Sequence, residues 1–215
     1  MTVAKAAAEL RFTNVRAAVA TYQERGFRCI PLYGVSPDGE CLCGNPLCKS
    51  RDAGKHEPPE SDGQWKDGRA FTQEDFQDTD NIALAMGPWR RGYWLVALDV
   101  DGAEDASSFF PQLPATLTQK TPRGAHLVYT VPEYTPLGNW VDCFRTKRAG
   151  FSLDLRYARG RIVVAPSRGS TGAYVWRDWR APVPLPMRAI DAILSHRREL
   201  GLPVLEQWER EGKAP

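Results

Sequence analysis

The feature that most constrains the fold is the run WLVALDVDGAED, residues 94–105. Its five apolar side chains, Trp94 to Leu98, predict a buried strand that ends at Asp99 and Asp101 and is broken by Gly102. Residues two apart in a strand project from the same face with Cα atoms roughly 6 to 7 Å apart, so both carboxylates can converge on one hard cation. Aspartates at strand ends also form turns and helix caps, and the run resembles the start of a calcium loop that lacks the glutamate at its twelfth position.

Composition limits the class of protein. The chain has 215 residues, 42% of them apolar and 25% charged, and a formal net charge of +2, which is too small to argue for a nucleic-acid partner by itself. This length predicts one domain over residues 1–215, or a core domain with a small appended module. No 18-residue apolar run and no signal-peptide pattern occur, which predicts a cytoplasmic protein without a membrane partner.

Periodicity and turn residues predict a mixed α/β fold. Helices are expected at residues 14–26, 72–77, 103–110 and 187–200, the last followed by a polar tail to residue 215. Strands are expected at residues 27–33, 81–87, 93–101, 115–121, 125–131, 151–157, 161–167 and 173–176. The fourth and fifth strands form a hairpin around a TPRG turn, and 161–167 is the expected partner of 151–157. Residues 34–68 and 132–150 are expected to be loops.

A third carboxylate strengthens the metal hypothesis. Asp154 lies on the polar face of the alternating strand FSLDLRY, where a sheet can bring it beside Asp99 and Asp101. Three acidic side chains on strands suit a centre that binds two Mg2+ or Mn2+ ions about 4 Å apart for phosphoryl transfer. Taken alone, Asp154 is equally explained as a surface partner of Arg156 or Arg161.

The basic residues of the second half suggest phosphate binding. His126 begins an apolar strand directly after Arg123 and Gly124, so its imidazole, the guanidinium and the exposed backbone N–H groups can contact phosphate oxygens. A hydrogen-bonded core histidine is the alternative. Six basic residues cluster nearby, as a triphosphate or nucleic-acid backbone requires, although a solvated charged face is also possible: Arg145, Lys147, Arg148, Arg156, Arg159 and Arg161.

The long loop contains a candidate zinc site. Four possible zinc ligands occur within 16 residues: Cys41, Cys43, Cys48 and His56. They lie inside residues 35–68, a long segment with no predicted helix or strand to order it. A closed tetrahedral Cys3His zinc site would supply folding free energy to this insertion. Unligated thiols are the alternative, and four protein ligands favour a structural role over a catalytic one.

In this order, the segments resemble the N-terminal prim-pol domain of bifunctional DNA primase/polymerases, a branch of the archaeo-eukaryotic primase superfamily known especially from actinobacteria, their plasmids and phages. The shared segments, over about residues 26–168, are the FRCIPLY strand, CLCGNPLCKSRDAGKH, NIALAMG, VALDVDG, TPRGAHLVY and DLRYARGRIVVAPS. The resemblance implies a palm sheet like that of RNA-recognition domains, with an N-terminal α/β unit packed on it.

The resemblance also implies roles for individual residues. Asp99, Asp101 and Asp154 match the metal-binding catalytic carboxylates, and His126 matches the histidine that contacts the phosphates of the incoming nucleotide. Further nucleotide-binding candidates are Arg123, Gly124, Arg156 and Ser167, the last in Ala165-Pro166-Ser167 where the family often has Pro-Pro-Ser. Template contact would fall to Arg145, Lys147, Arg148, Arg159 and Arg161.

The expected function is therefore template-dependent nucleotidyl transfer, as a DNA primase, a DNA polymerase or both, with Mg2+ or Mn2+ as cofactor and structural zinc. The expected partners are a single-stranded DNA template or primer, NTP or dNTP, and a helicase domain or protein, since the chain has no phosphate loop of its own. The alternatives are a non-catalytic DNA-binding replication module and a metal-dependent nuclease.

Overall fold

The computed structural model describes residues 12–145 and 151–202. Within them the chain forms two α-helices, α1 (Val15–Glu24) and α2 (Met187–Glu199), and single 3-10 turns at Ser50–Asp52, Gln64–Asp67 and Gln73–Asp75. The strands are β1 (Cys29–Leu32), β2 (Asn81–Ala85), β3 (Gly87–Arg90), β4 (Tyr93–Asp101), β5 (Leu117–Lys120), β6 (Gly124–Pro132), β7 (Trp140–Arg145), β8 (Ser152–Arg156), β9 (Arg161–Val164), β10 (Arg168–Gly169), β11 (Gly172–Ala173), β12 (Val175–Asp178) and β13 (Val183–Pro184). The predicted α/β class is confirmed.

The large sheet is built around β4. Its order is β12-β5-β6-β4-β8-β7, with β3 also paired to β4 and β13 paired in parallel to β6. The strand β4 pairs antiparallel with β6 along its whole length, from Tyr93 opposite Pro132 to Asp101 opposite Gly124, and with β8 over residues 97–101. A strand with partners on both edges and layers on both faces needs apolar side chains on both faces, which explains the run at residues 94–98.

Each face of the large sheet has its own hydrophobic core. The side chains of Val96 and Leu98 pack with those of Ile190 and Ile193 from α2 on one face. On the other face Ala97 belongs to the core formed with α1 and the small antiparallel sheet β1-β2-β9. Because side chains alternate along a strand, Asp99 and Asp101 lie on the same face as Ala97, toward the small sheet.

The first helix agrees with the sequence, whereas the helix expected near residues 72–77 is only one 3-10 turn. The N-cap Asn14 accepts a hydrogen bond from the Ala17 N–H at 2.8 Å, and α1 ends before Gly26. At the short turn Gln73–Asp75, a capping box joins Thr72 and Asp75. Phe76, directly after this turn, is fully buried, so the chain leaves the helical path there and enters the core.

The helix predicted over residues 103–110 is wrong, because this segment consists of bends and turns. The Asp105 side chain accepts the Ser107 N–H at 2.8 Å, a local hydrogen bond that competes with helix formation. Phe110 and Ala106 are nevertheless buried, so their apolar character reflects core packing.

The loop predicted over residues 132–150 is wrong in part, because it contains β7. Trp140 lies opposite Leu155 of β8 and Phe144 lies opposite Leu153, with a bulge between these pairs. Asp142, inside the bulge, has a φ of 51°. An extra residue in the bulge breaks the two-residue alternation by which a strand is recognised in a sequence.

The predicted pairing of residues 161–167 with 151–157 is also wrong. The strand β9 pairs with β2, with Ile162 opposite Leu84 and Val164 opposite Ile82, so the chain crosses from the large sheet to the small one after β8. The crossing is a tight turn in which the Gly160 N–H donates to the Tyr157 carbonyl. Arg159 and Gly160 of this turn help to line a cleft whose walls include residues of both sheets.

Candidate active site

A row of four polar side chains crosses the large sheet where β4 leaves the core. Asp99 lies opposite Asp154 of β8 on one side and opposite His126 of β6 on the other, and His126 lies opposite Gln119 of β5. Direct cross-strand partners project from the same face, so the four side chains are neighbours. Asp101, two residues along β4, projects beside this row.

Ion pairs hold the carboxylates in place. The Nε2 atom of His126 lies 3.1 Å from Oδ1 of Asp99. One guanidinium nitrogen of Arg156 lies 2.5 Å from Asp154 and 3.5 Å from Asp99, so Arg156 bridges the two acids. Arg123 pairs with Asp101 at 2.7 Å. The Asp142 N–H donates to the other oxygen of Asp154 at 2.7 Å.

The three carboxylates experience different electrostatic surroundings. Burial tends to raise the pKa of Asp99, but His126, Arg156 and Lys55 together outweigh burial and lower this pKa to about 2. Burial raises the pKa of Asp101, and the negative charge of Asp99 adds to the rise against the attraction of Arg123. Burial also raises the pKa of Asp154, opposed by the Asp142 N–H and Arg156.

These carboxylates fit a hard divalent cation chemically. The negative charge of Asp99 adds to the raised pKa of Asp101 and of Asp154, so the charged acids need positive charge nearby, and in the structure Arg123 and Arg156 supply it. Mg2+ and Mn2+ prefer carboxylate oxygens and can supply the same charge. Within the described residues the three acids do not form as tight a group as the cysteine cluster below, and the guanidinium of Arg156 bridges Asp99 and Asp154. Cation binding would therefore require Arg156 to turn away from Asp99 or Asp154.

The acids line a cleft of about 600 Å3, within the roughly 300–1,000 Å3 usual for small-molecule sites. Basic side chains outnumber the three carboxylates on its walls: Arg51, Lys55, Lys66, Arg123, Arg156, Arg159 and Arg161. A water-accessible cleft with a surplus of positive charge attracts polyanions such as a triphosphate or a nucleic-acid strand.

The predicted cysteine and histidine ligands come together. The ligand atoms of Cys41, Cys43, Cys48 and His56 all lie within 4.8 Å of one another. The Nε2 atom of His56 is 3.3 Å from the sulfur of Cys41 and 3.4 Å from that of Cys48. Ligands of a tetrahedral zinc ion with Zn–S about 2.3 Å and Zn–N about 2.0 Å stand about 3.5 Å apart, so the cluster fits zinc.

The cysteine loop reaches the cleft through Arg161. The guanidinium of Arg161, on β9, pairs with Glu57 and donates to the Lys55 carbonyl at 3.0 Å. Glu57 also accepts the indole N–H of Trp65 at 3.0 Å. These bonds hold Lys55 and Trp65 at the wall of the cleft. Lys55 directly precedes His56 of the cysteine cluster in the chain, and Trp65 follows it by nine residues.

Two predicted nucleotide-binding residues, Gly124 and Ser167, are not among the residues that line the cleft. Ser167 is buried, and its hydroxyl accepts the Ile82 N–H at 2.8 Å and donates to the Ile82 carbonyl at 3.2 Å. The Gly124 N–H donates to the Thr121 hydroxyl at 2.9 Å, and a Cβ at this position would lie 2.0 Å from the Val100 carbonyl oxygen. Their local contacts thus explain both residues by strand packing, and their nucleotide roles stay predictions.

The predicted template-binding residues divide into two groups. Arg159 and Arg161 line the cleft. Lys147 and Arg148 lie outside the described residues, as does the side chain of Arg145, whose backbone ends β7. Their role therefore stays a prediction.

Sequence reasoning missed three side chains at the site. Lys55 lies in the cleft beside the acids, where burial and then Arg123 lower its pKa. Tyr174 lies with its ring 5.9 Å from that of His126. Gln119 contacts His126 directly, at 2.6 Å. Only Gln119 had a usable sequence indicator, since counting back from the TPRG turn in a hairpin places it opposite His126.

Comparison with known proteins identifies the family. The family model described as "Bifunctional DNA primase/polymerase, N-terminal" (Prim-Pol) matches residues 19–188. The chain therefore belongs to the Prim-Pol family, as its motifs predicted. The family suggests primase/polymerase activity of the nucleotidyltransferase type and binding of DNA and nucleotides. No curated protein matches the chain. Neither helix of the described part has the length and apolar character needed to cross a membrane.

Proposed function

We propose that this chain is a template-dependent nucleotidyltransferase that forms phosphodiester bonds from nucleoside triphosphates, as a DNA primase, a DNA polymerase or both. The observation that carries the proposal is the register of three adjacent strands, which groups Asp99, Asp101, Asp154 and His126 on one face at the mouth of a basic cleft. Membership of the Prim-Pol family supports the same chemistry.

In this proposal Asp99, Asp101 and Asp154 hold two divalent cations, Mg2+ or Mn2+. When bound, these cations lower the pKa of the attacking hydroxyl and neutralise charge on the transferred phosphate. The rigid strand β4, paired on both edges, keeps Asp99 and Asp101 at a fixed separation. Arg123 and Arg156, which pair with the acids in the structure, are released to bind the triphosphate.

His126 has the nucleotide-binding role that the family resemblance implies. Its Nε2–H faces the acids and donates to Asp99, and in this proposal the same N–H contacts the triphosphate of the incoming nucleotide. The remaining cations of the cleft, among them Arg159 and Arg161, contact the template backbone. Zinc held by Cys41, Cys43, Cys48 and His56 has a structural role, because four protein ligands leave no open position.

A primer-extension assay tests the proposal. Wild-type protein with Mg2+ or Mn2+, dNTP and a primed template should lengthen the primer. The double variant Asp99→Asn/Asp101→Asn should lose extension by at least a hundredfold while keeping DNA binding, because the carboxylates act in the chemical step. Asp191→Asn is the matched control, an exposed acid on α2 at the opposite face of the sheet.

The same assay separates the rival functions. A wild type that binds DNA but incorporates nothing with either cation would identify a binding module, and shortening of the primer without nucleotides would identify a nuclease. Incubation of unprimed single-stranded DNA with NTP or dNTP, scored for new oligonucleotides, separates initiation from extension.

A further inference from the structure

A second cavity of about 380 Å3 adjoins the catalytic cleft. Trp65, Lys66 and Arg159 line both spaces, and Arg28, from the segment before β1, lines only the second. We call this space the Arg28 cavity. Three cations from three separate chain segments thus face one cavity, and the catalytic site described above gives no role to Arg28.

Arg28 is the first indication of a ligand. Its Nε–H is buried and has no hydrogen-bond partner within the described residues, and desolvation lowers the pKa of this half-buried guanidinium. Buried polar groups are almost always hydrogen-bonded, since an unpaired donor destabilises the fold. No ion pair joins Arg28, Lys66 or Arg159 to a carboxylate in the part of the chain that the structure describes. An external acceptor would satisfy this donor.

Arg159 is a second, independent indication. Its φ of 62° lies in the left-handed region, which favours glycine or asparagine, although its side chain is exposed and adds nothing to the core. It stands in the turn between β8 and β9, at the boundary of the two spaces. Residues held in sparsely populated backbone conformations cluster at active sites and ligand clamps.

We infer that the Arg28 cavity is a second phosphate-binding site beside the catalytic cleft. This rests on the proposed function, which supplies phosphate as a phosphodiester of the bound strand or as the triphosphate of a nucleotide. A phosphate offers several acceptor oxygens to guanidinium and ammonium groups at once. Trp65, the aromatic residue among the described residues that line the cavity, is only 3% exposed, with Lys66 and Arg161 beside its ring, so its ring is not open for stacking a base. Binding is therefore independent of base sequence.

Salt-dependent binding of a labelled single-stranded oligonucleotide tests the inference. Loss of one phosphate contact lowers the magnitude of the slope of log K against log salt by about 0.7, which corresponds to about fivefold weaker binding at 0.1 M salt. Lys66→Ala and Arg159→Asn should each produce this change, and asparagine keeps the left-handed turn. Asp67→Asn removes the acid that lines the same cavity and should tighten binding.

Controls and a second ligand complete the test. Arg198→Ala, an exposed cation on α2 across the sheet, should leave the slope unchanged. Arg28→Gln should act like Lys66→Ala if its melting curve shows a folded protein, and Asp67→Asn, at an exposed position that lines only the Arg28 cavity, keeps the test valid if it does not. In parallel, the affinity for a free nucleoside triphosphate is measured for every variant.

The two ligands distinguish the source of the phosphate. If the variants bind the oligonucleotide more weakly but the triphosphate as tightly as wild type, the cavity binds a phosphate of the strand. The reverse result assigns the cavity to the nucleotide. The inference is overturned if the double variant Lys66→Ala/Arg159→Asn binds both ligands within twofold of wild type. Because binding is measured without turnover, a wild type that binds DNA but incorporates no nucleotide would refute the proposed function and leave this result standing.

Discussion

The amide of Gln119 fixes the tautomer of His126. Its nitrogen lies 2.6 Å from Nδ1 of the imidazole, and both side chains are buried. The amide orientation is set by the backbone of β9 and of the residue that follows it, because the amide oxygen accepts the Ala165 N–H at 3.2 Å and the amide nitrogen donates to the Val163 carbonyl at 2.6 Å. The amide therefore presents a donor to Nδ1, which must accept. In the neutral ring the hydrogen resides on Nε2, the atom 3.1 Å from Asp99.

The first prediction concerns this tautomer. In wild-type protein with 15N-labelled histidine, at a pH where the ring is neutral, the His126 nitrogen that carries hydrogen should be Nε2. In Gln119→Glu an acceptor faces Nδ1, so Nδ1 should carry a hydrogen and the KM for the nucleotide should change. Gln73→Glu, on an exposed turn, is the control and should change neither. A hydrogen on Nδ1 in the wild type would contradict the assignment.

The second prediction concerns opposite effects of two neighbouring acids on stability. The pKa of Asp99 in the folded protein, about 2, lies below its ordinary 3.8, so its charge stabilises the fold above about pH 4. Asp99→Asn should lower the free energy of unfolding at pH 7 by about 2 kcal/mol, and the difference should vanish as pH falls from about 4 to about 2. The pKa of Asp101 is raised, so its charge is unfavourable and Asp101→Asn should stabilise the protein at pH 7.

Urea unfolding of both variants between pH 2 and pH 7 measures these effects, with Asp191→Asn as the exposed control. The stabilisation by Asp101→Asn should disappear once pH falls below the raised pKa of Asp101, where the wild-type side chain is neutral as well. The prediction fails if the two variants shift stability in the same direction at pH 7. Under the proposed function both variants lose activity, so gain of stability and loss of activity would coincide at Asp101.

The family and the α/β class were predictable because local residue types determine them. The apolar run 94–98 followed by Asp99 and Asp101, and the alternation around Asp154, each specify a strand and the face on which its acids lie. The Cys41, Cys43, Cys48 and His56 cluster was likewise predictable from ligand spacing.

The features that sequence reasoning missed depend on contacts between distant segments. The pairing of β9 with β2 joins residues about 80 positions apart, and no local pattern distinguishes it from pairing with β8. The strand β7 was hidden by a bulge at Asp142 that breaks its alternation. Lys55 reaches the acids only because the cysteine loop folds back and is held by Arg161 of β9.

The third prediction concerns Ser167, a nucleotide-binding candidate of the sequence analysis. Its hydroxyl bonds to both backbone groups of Ile82, at 2.8 and 3.2 Å, and is buried. Ser167→Ala should leave these groups unpaired and lower the free energy of unfolding by about 1 to 3 kcal/mol. The KM for the nucleotide should change by less than twofold, whereas His126→Ala, the control at the acids, should raise it. A large rise in KM with unchanged stability would instead support a nucleotide-binding role for Ser167.

The fourth prediction concerns the coupling of zinc to the cleft. Cys48→Ser removes one ligand of the Cys3His cluster, and without zinc the loop loses the bonds that keep Lys55 and Trp65 at the cleft wall. Wild-type protein should contain about one equivalent of zinc, and the variant less than half. The variant should melt several degrees lower and be cut by protease within residues 34–68.

Leu47→Ala, at an 84% exposed position of the same loop, is the matched control and should behave as wild type. A wild type that lacks zinc and is unaffected by a chelator would refute the structural role of the metal.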